Sequence, residues 1–297
     1  MKLAPQNKQF LRPEEKVTYA ASKFVVLPAP LEETVSYGHG TGKGPAAIIA
    51  ASSQVEFWDT ELKKSPLSKG IATLEALKFG ADAEKNLAIV AASFLQILRE
   101  RKIPVMLGGE HTITLGGVAA LAAYLKELGK VKDGFTILQF DAHGDLRFEY
   151  EETVYSHACV MRQALEQFPE VNLVQVGIRA ICEEEENFIA ANKKRVSTFF
   201  AHDRKNWHAE KILKAIPTKD VYLTFDVDGL DPSILPATGT PVPDGLLWAE
   251  TLEILRLVAT KKNIVAMDIV ELAPSKGFSY CDFATALLVT KMIAYAS

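Results

Sequence analysis

Short apolar runs rich in β-branched and aromatic residues alternate along the chain with longer stretches whose apolar positions recur every three or four residues. The runs Phe24–Leu27, Ile103–Leu107, Phe135–Phe140, Leu173–Val176, Val196–Phe199, Val221–Phe225 and Ile264–Ile269 predict strands. Between them, Ala83–Arg99 sets Leu87, Ile89, Val90, Phe94, Leu95 and Leu98 near a 3.6-residue period. Helices are likewise predicted at Gly117–Leu128, His157–Phe168, Glu183–Asn192, Ala209–Ile216, Trp248–Thr260 and Asp282–Ala296. Strands that are apolar almost throughout and separated by helices point to an α/β chain with a parallel sheet covered on both faces. There is no internal repeat, and the Pro/Gly-rich stretch Asp231–Gly245 reads as a loop within the pattern. One domain over residues 1–297 is the expectation.

Charge and cysteine usage remove several classes of function. The net charge of −4 is unsuited to a nucleic-acid surface, and Lys63-Lys64 and Lys193-Lys194-Arg195 are too short to make one. Cys159, Cys182 and Cys281 are odd in number and lack a Cys-x-x-Cys spacing, which suits a reducing compartment. Met1–Phe10 has no apolar leader core, and no run reaches the roughly 18 apolar residues of a membrane span. A cytoplasmic protein without a membrane or nucleic-acid partner is the expectation.

Four clusters carry the candidate chemistry, and each lies just past a predicted strand. They are Gly108-Gly109-Glu110-His111, Asp141-Ala142-His143-Gly144-Asp145, Asp226-Val227-Asp228-Gly229 and Val270-Glu271. The carboxyl ends of parallel strands share one edge, so residues more than a hundred positions apart converge there. Alternation along a strand would set Asp141, His143 and Asp145 on one side, and Asp226 and Asp228 repeat that spacing. With His111, this makes two imidazoles and four carboxylates. Four close carboxylates repel one another unless cations neutralise them, and two divalent ions supply four positive charges. A carboxylate-rich set with some imidazole suits Mn²⁺ better than structural zinc.

These segments, together with Ser156-His157-Ala158, Thr224–Pro232, Gly239-Thr240-Pro241 and Asp268-Ile269-Val270-Glu271, resemble the ureohydrolases, the arginase and agmatinase family, over essentially the whole chain. The resemblance implies a three-layer α/β/α sandwich with a central parallel sheet of about eight strands. It implies two Mn²⁺ ions per subunit, one on His111 and Asp145 and the other on His143 and Asp228, with Asp141 and Asp226 shared. It also implies a homo-oligomer, a trimer or hexamer. Glu110 departs from the pattern, because the family usually has Asp before the first ligand histidine; the departure bears on the groups supporting the ligands.

The same resemblance implies hydrolysis of a guanidino compound to urea and an amine. Asp145 would orient an ion-activated water and relay its proton, and Glu271 would hold the guanidinium in a charge-assisted pair. His157 would carry the proton needed by the departing amine, since imidazole titrates near working pH. In arginases the loop after Asp-x-His-x-Asp supplies an Asn and a Ser for the substrate carboxylate. Here it reads Leu146–Thr153, with Glu149, Glu151 and Glu152 in their place. An acidic rim attracts an ammonium and repels a carboxylate. The expectation is therefore agmatine, cleaved to putrescine and urea on a polyamine route, with Glu149 among the substrate contacts. Formiminoglutamate is the rival, because Asp145-Leu146-Arg147 also resembles enzymes acting on that compound; guanidinobutyrate, aminopropylagmatine, arginine and free guanidine stay open.

Three readings lie outside this function. Gly38–Gly44 invites a nucleotide loop, but it has three residues where a P-loop needs four, and Gly44 replaces the hydroxyl that reaches Mg²⁺. A catalytically silent metal-binding protein is the second. A single-zinc deacetylase is the third, and it fits two Asp-rich clusters poorly.

Overall fold

The computed structural model describes all of residues 1–297. Eight strands form one parallel sheet in the order β2-β1-β3-β8-β7-β4-β5-β6. They are β1 (Phe24–Ala29), β2 (Ile71–Thr73), β3 (Ile103–Gly108), β4 (Phe135–Phe140), β5 (Val171–Ile178), β6 (Val196–Phe200), β7 (Asp220–Asp226) and β8 (Asn263–Val270). Every strand but β6 is buried nearly throughout, as a sheet covered on both faces requires.

Eight helices supply that cover: α1 (Gly44–Ser52), α2 (Ala83–Arg99), α3 (Thr114–Glu127), α4 (Val160–Gln167), α5 (Glu183–Ala191), α6 (Ala209–Ala215), α7 (Trp248–Lys261) and α8 (Ser279–Tyr295). Side chains of α1, α6, α7 and α8 build the apolar core on one face. Those of α2, α3 and α4, with Phe188 and Ile189 of α5 against them, build the other. The result is the expected three-layer α/β/α sandwich. No helix is long and apolar enough to cross a membrane.

Two elements were missing from the reading of the sequence. The strand β2 is a three-residue edge strand paired to β1 alone, too short to show a pattern. The helix α1 reads Gly-Pro-Ala-Ala-Ile-Ile-Ala-Ala-Ser and packs against both the sheet and α8. A helix covered on several sides has no polar stripe to set its period.

The connection from β1 to α1 places the site. Its chain runs over the carboxyl edge of the sheet, and Glu32 closes it by accepting the Gly40 and Gly42 amides at 2.7 and 2.8 Å. The amides a phosphate would need are thereby occupied by this chain's own carboxylate, which leaves the nucleotide-loop reading without a cradle.

Candidate metal centre and active site

The strands β3, β8, β7 and β4 lie side by side in the middle of the sheet, and their carboxyl ends carry all four clusters. The structure brings His111, Asp141, His143, Asp145, Asp226, Asp228 and Glu271 to this edge. All but His143 are at least nine-tenths buried. His111 Nδ1 lies 2.9 Å from Asp145 Oδ2, 3.1 Å from Asp141 Oδ2 and 3.6 Å from Asp226 Oδ2. His143 Nδ1 lies 3.0 Å from Asp228 Oδ2 and 3.6 Å from Asp141 Oδ1. Two groups with ion-binding spacing result, His111-Asp141-Asp226 and Asp141-His143-Asp228, and Asp141 belongs to both.

The cause of this convergence differs from the alternation expected from the sequence. The strand β4 stops at Phe140, so Asp141–Asp145 is loop. Asp141 Oδ1 accepts the His143 amide at 2.6 Å, and Asp226 Oδ1 accepts the Asp228 amide at 2.8 Å. Each is a side-chain turn spanning two residues, which Asp forms readily. Asp145 then adopts a left-handed backbone (φ 54°), and so does Glu271 (φ 65°). Non-glycine residues held there carry about 1–3 kcal/mol of strain, characteristic of functional sites.

A buried triad behind His111 fixes its ring. Asp268 is fully buried and accepts from Thr224 Oγ1 at 2.6 Å, Tyr222 Oη at 2.7 Å and Thr114 Oγ1 at 2.9 Å. Having donated its proton to Asp268, Thr224 Oγ1 can only accept from His111 Nε2, 2.8 Å away. The other ring nitrogen, Nδ1, is buried among the carboxylates without a hydrogen-bond partner. Gly117 allows the approach: a Cβ there would lie 2.1 Å from the Tyr222 oxygen.

The electrostatics are those of crowded, buried carboxylates and imidazoles. Burial, then the Asp141 charge, pushes Asp145 up to about 7. Burial, then Asp228, raises Asp226 well above the carboxylate range. Burial pushes Glu271 up to about 8. Burial lowers the affinity of His143 for a proton, but Asp228 and Asp141 outweigh it and hold the ring up to about 12. An unpartnered ring nitrogen among crowded carboxylates, with no thiolate in the set, fits divalent cations.

His157, the sequence-predicted proton carrier, begins the turn before α4 and lines the same cavity. Ser156 caps that turn, accepting the Ala158 amide at 3.4 Å. Burial lowers the pKa of His157. The inner cavity of about 370 Å³ is bounded by Val35–Gly38 on one side and Thr238–Thr240 on the other. It opens into an outer cleft of about 760 Å³ lined by Arg147, Tyr150, Ile181 and Glu185; Ser36, His143, Asp145, His157 and Thr240 line both.

Glu149 does not reach either space. It is exposed, because the chain turns through left-handed Glu151 and Glu152 and carries the acidic loop outward. Arg147 and Tyr150 face the cleft in its stead. Residues that the sequence reading missed are Thr34, Ser36, Thr224 and the role of Asp268. Asp268 stood inside a recognised motif, whereas Thr34 and Ser36 lie in a loop that carried no signal.

The family model described as "Arginase family" matches residues 22–296. The N(1)-aminopropylagmatine ureohydrolase of Synechocystis sp. is 39% identical, covering 97% of this chain and 94% of the relative. The protein of the same name from Thermus thermophilus is 37% identical over 93% of this chain and 91% of its own length. The solved structure of agmatine ureohydrolase of Thermoplasma volcanium superimposes with a TM-score of 0.85 at 30% identity, covering 97% and 94% of the two chains. A family match over nearly the full length, on a fold whose central strand ends bear the paired clusters, places this chain in the arginase family as a ureohydrolase of agmatinase-like type.

Proposed function

We propose that the protein hydrolyses a guanidino-ended polyamine to urea and the free amine, with N1-aminopropylagmatine the preferred substrate and two Mn²⁺ ions as cofactor. The continuous cavity carries this reading: it starts at Glu271 and the ion ligands and runs on past His157 into an open cleft beside Arg147 and Tyr150. The names of the Synechocystis and Thermus relatives support the longer substrate.

His111 and Asp145 would hold one ion and His143 and Asp228 the other, with Asp141 and Asp226 shared. Bound divalent ions supply a nucleophile at neutral pH by lowering the pKa of a coordinated water from 15.7 toward about 7. Glu271 binds the guanidinium. Its Oε1 is committed to the His111 amide at 2.7 Å, which aims the carboxylate, and an arriving cation restores the charge that burial suppresses. Asp145 orients the attacking water and takes up its proton. His157 delivers a proton to the departing amine nitrogen, because a free amine leaves where an amide anion does not.

Arg147 in the outer cleft favours one other reading, an acid-tailed substrate such as formiminoglutamate. The test is urea release, with formamide release for formiminoglutamate, from Mn²⁺-loaded protein. Aminopropylagmatine, agmatine, arginine, guanidinobutyrate and formiminoglutamate are compared by kcat/KM. Aminopropylagmatine is expected to lead, with agmatine behind it and arginine last. Turnover of formiminoglutamate alone would replace the proposal.

A further inference from the structure

The loop over the site is tied down by a buried carboxylate that no step of the reaction uses. Glu110 is fully buried, one residue before His111. Its Oε2 accepts the amides of Glu33 at 2.8 Å and Thr34 at 2.7 Å, and its Oε1 accepts the Thr34 hydroxyl at 3.1 Å. Thr34 Oγ1 in turn lies 3.3 Å from both the backbone nitrogen and the Nδ1 of His157, and 3.4 Å from Thr112 Oγ1. Ser36, two residues on, puts its hydroxyl 3.5 Å from His157 Nε2, and Ser156 Oγ lies 3.5 Å from Nδ1.

Donor and acceptor bookkeeping then fixes the ring. The Thr34 hydroxyl has one proton, and the geometry directs it to Glu110. Thr34 can therefore only accept from His157, through the backbone amide and through Nδ1. Being nearer to Nδ1 (3.3 Å) than Ser156 Oγ is (3.5 Å), it favours a proton on Nδ1, and the Nε2 lone pair then faces Ser36 and the cavity. We infer that Glu110 and Thr34 are positioning residues that orient His157 and select its tautomer, as the buried carboxylate does for the histidine of a hydrolytic triad, with a hydroxyl interposed. The geometry explains the glutamate as well. Its three contacts lie on the neighbouring loop, a span to which the longer side chain is suited. This inference rests on the proposed role of His157 as proton carrier.

A double-mutant cycle tests it. Thr34→Val keeps the shape of the side chain and removes the hydroxyl. With the ion-loaded protein, kcat is expected to fall about 10- to 100-fold, with KM nearly unchanged and Thr34→Ser restoring turnover. In a His157→Ala background, adding Thr34→Val is expected to cost nothing further, because the hydroxyl acts through the ring. Equal losses in both backgrounds would assign Thr34 a merely structural role and overturn the inference. Nitrogen-15 spectra of the His157 ring provide a readout independent of turnover: the wild type is expected to show the Nδ1-protonated form, and Thr34→Val a mixture or the other tautomer. An unchanged ring spectrum would also overturn the inference. Full turnover in His157→Ala alone would instead remove the proton-carrier role, so the two failures are distinguishable.

Discussion

Asp226, Asp228 and Glu271 each commit one oxygen to a backbone amide and keep the other for the cavity, whereas Asp141 accepts the His143 amide on one oxygen and Gln139 Nε2 on the other at 2.8 Å. This division holds the ligands in place before any ion arrives, and it makes the supporting hydroxyls measurable. Replacing Thr224 with Val removes the acceptor for His111 Nε2 and frees the ring to turn or change tautomer. Ion affinity is expected to fall about 10- to 100-fold, with most turnover recovered at saturating Mn²⁺; calorimetric titration of ion-free protein checks it. An unchanged affinity would show that Thr224 does not orient the ligand. At this scale the candidate ligands were legible, because Asp-x-His-x-Asp and Asp-x-Asp pack chemistry into five and three residues. Thr224 was quoted only as the start of a motif, and Thr34 not at all. Their partners lie 113 and 123 positions away in the chain, and no local pattern records such a contact.

Strand ends were the legible part of the elements. All seven predicted strands exist, and each site cluster lies at the carboxyl end of one of them or directly after it. Apolar runs of four to six residues, spaced by helical patterns, leave little ambiguity. The helix α2 likewise spans Ala83–Arg99 as its period predicted, and Asp82 caps it by accepting the Lys85 amide at 3.1 Å. The acidic loop was misread because charge in a sequence gives no direction: Glu149 follows the turn outward while Arg147 faces the cleft. Within α3, Gly117 adjoins Tyr222 so closely that Gly117→Ala must displace the phenol or the helix. Overpacking of this kind costs about 1–3 kcal/mol. Thermal unfolding of the ion-free variant is therefore expected some degrees below the wild type, and a double change with Tyr222→Phe is expected to recover part of the loss. No recovery would place the clash elsewhere.

The whole molecule should report its ion content through its response to pH. Without ions the folded protein holds protons that the unfolded chain releases at its ordinary values of 3.8 for Asp145, 4.5 for Glu271 and 6.5 for His143. Each contribution is fully present below the unfolded value and is lost as pH rises through about 7, about 8 and about 12 respectively. His157, whose pKa is lowered, opposes this only below its ordinary 6.5. The ion-free protein should therefore lose stability from about pH 5 to about pH 8, because those buried groups shed protons unevenly. Divalent ions displace the same protons, so the Tm gained on adding Mn²⁺ should be larger near pH 8 than near pH 6. Scanning fluorimetry with chelator or Mn²⁺ at both values checks this, and equal gains would contradict it.

The order of the strands has a further consequence, for synthesis. The strand β8 pairs with β3 on one side and β7 on the other, and it alone joins the β2-β1-β3 half of the sheet to the β7-β4-β5-β6 half. A nascent chain that ends before Asn263 has no seam between the two halves, and His111 has no fixed distance from Asp226. Ribosome-bound chains cut at residue 262 should therefore lack the His111-Asp141-Asp226 group, while chains carrying β8 and α8 beyond the exit tunnel should acquire it in one step.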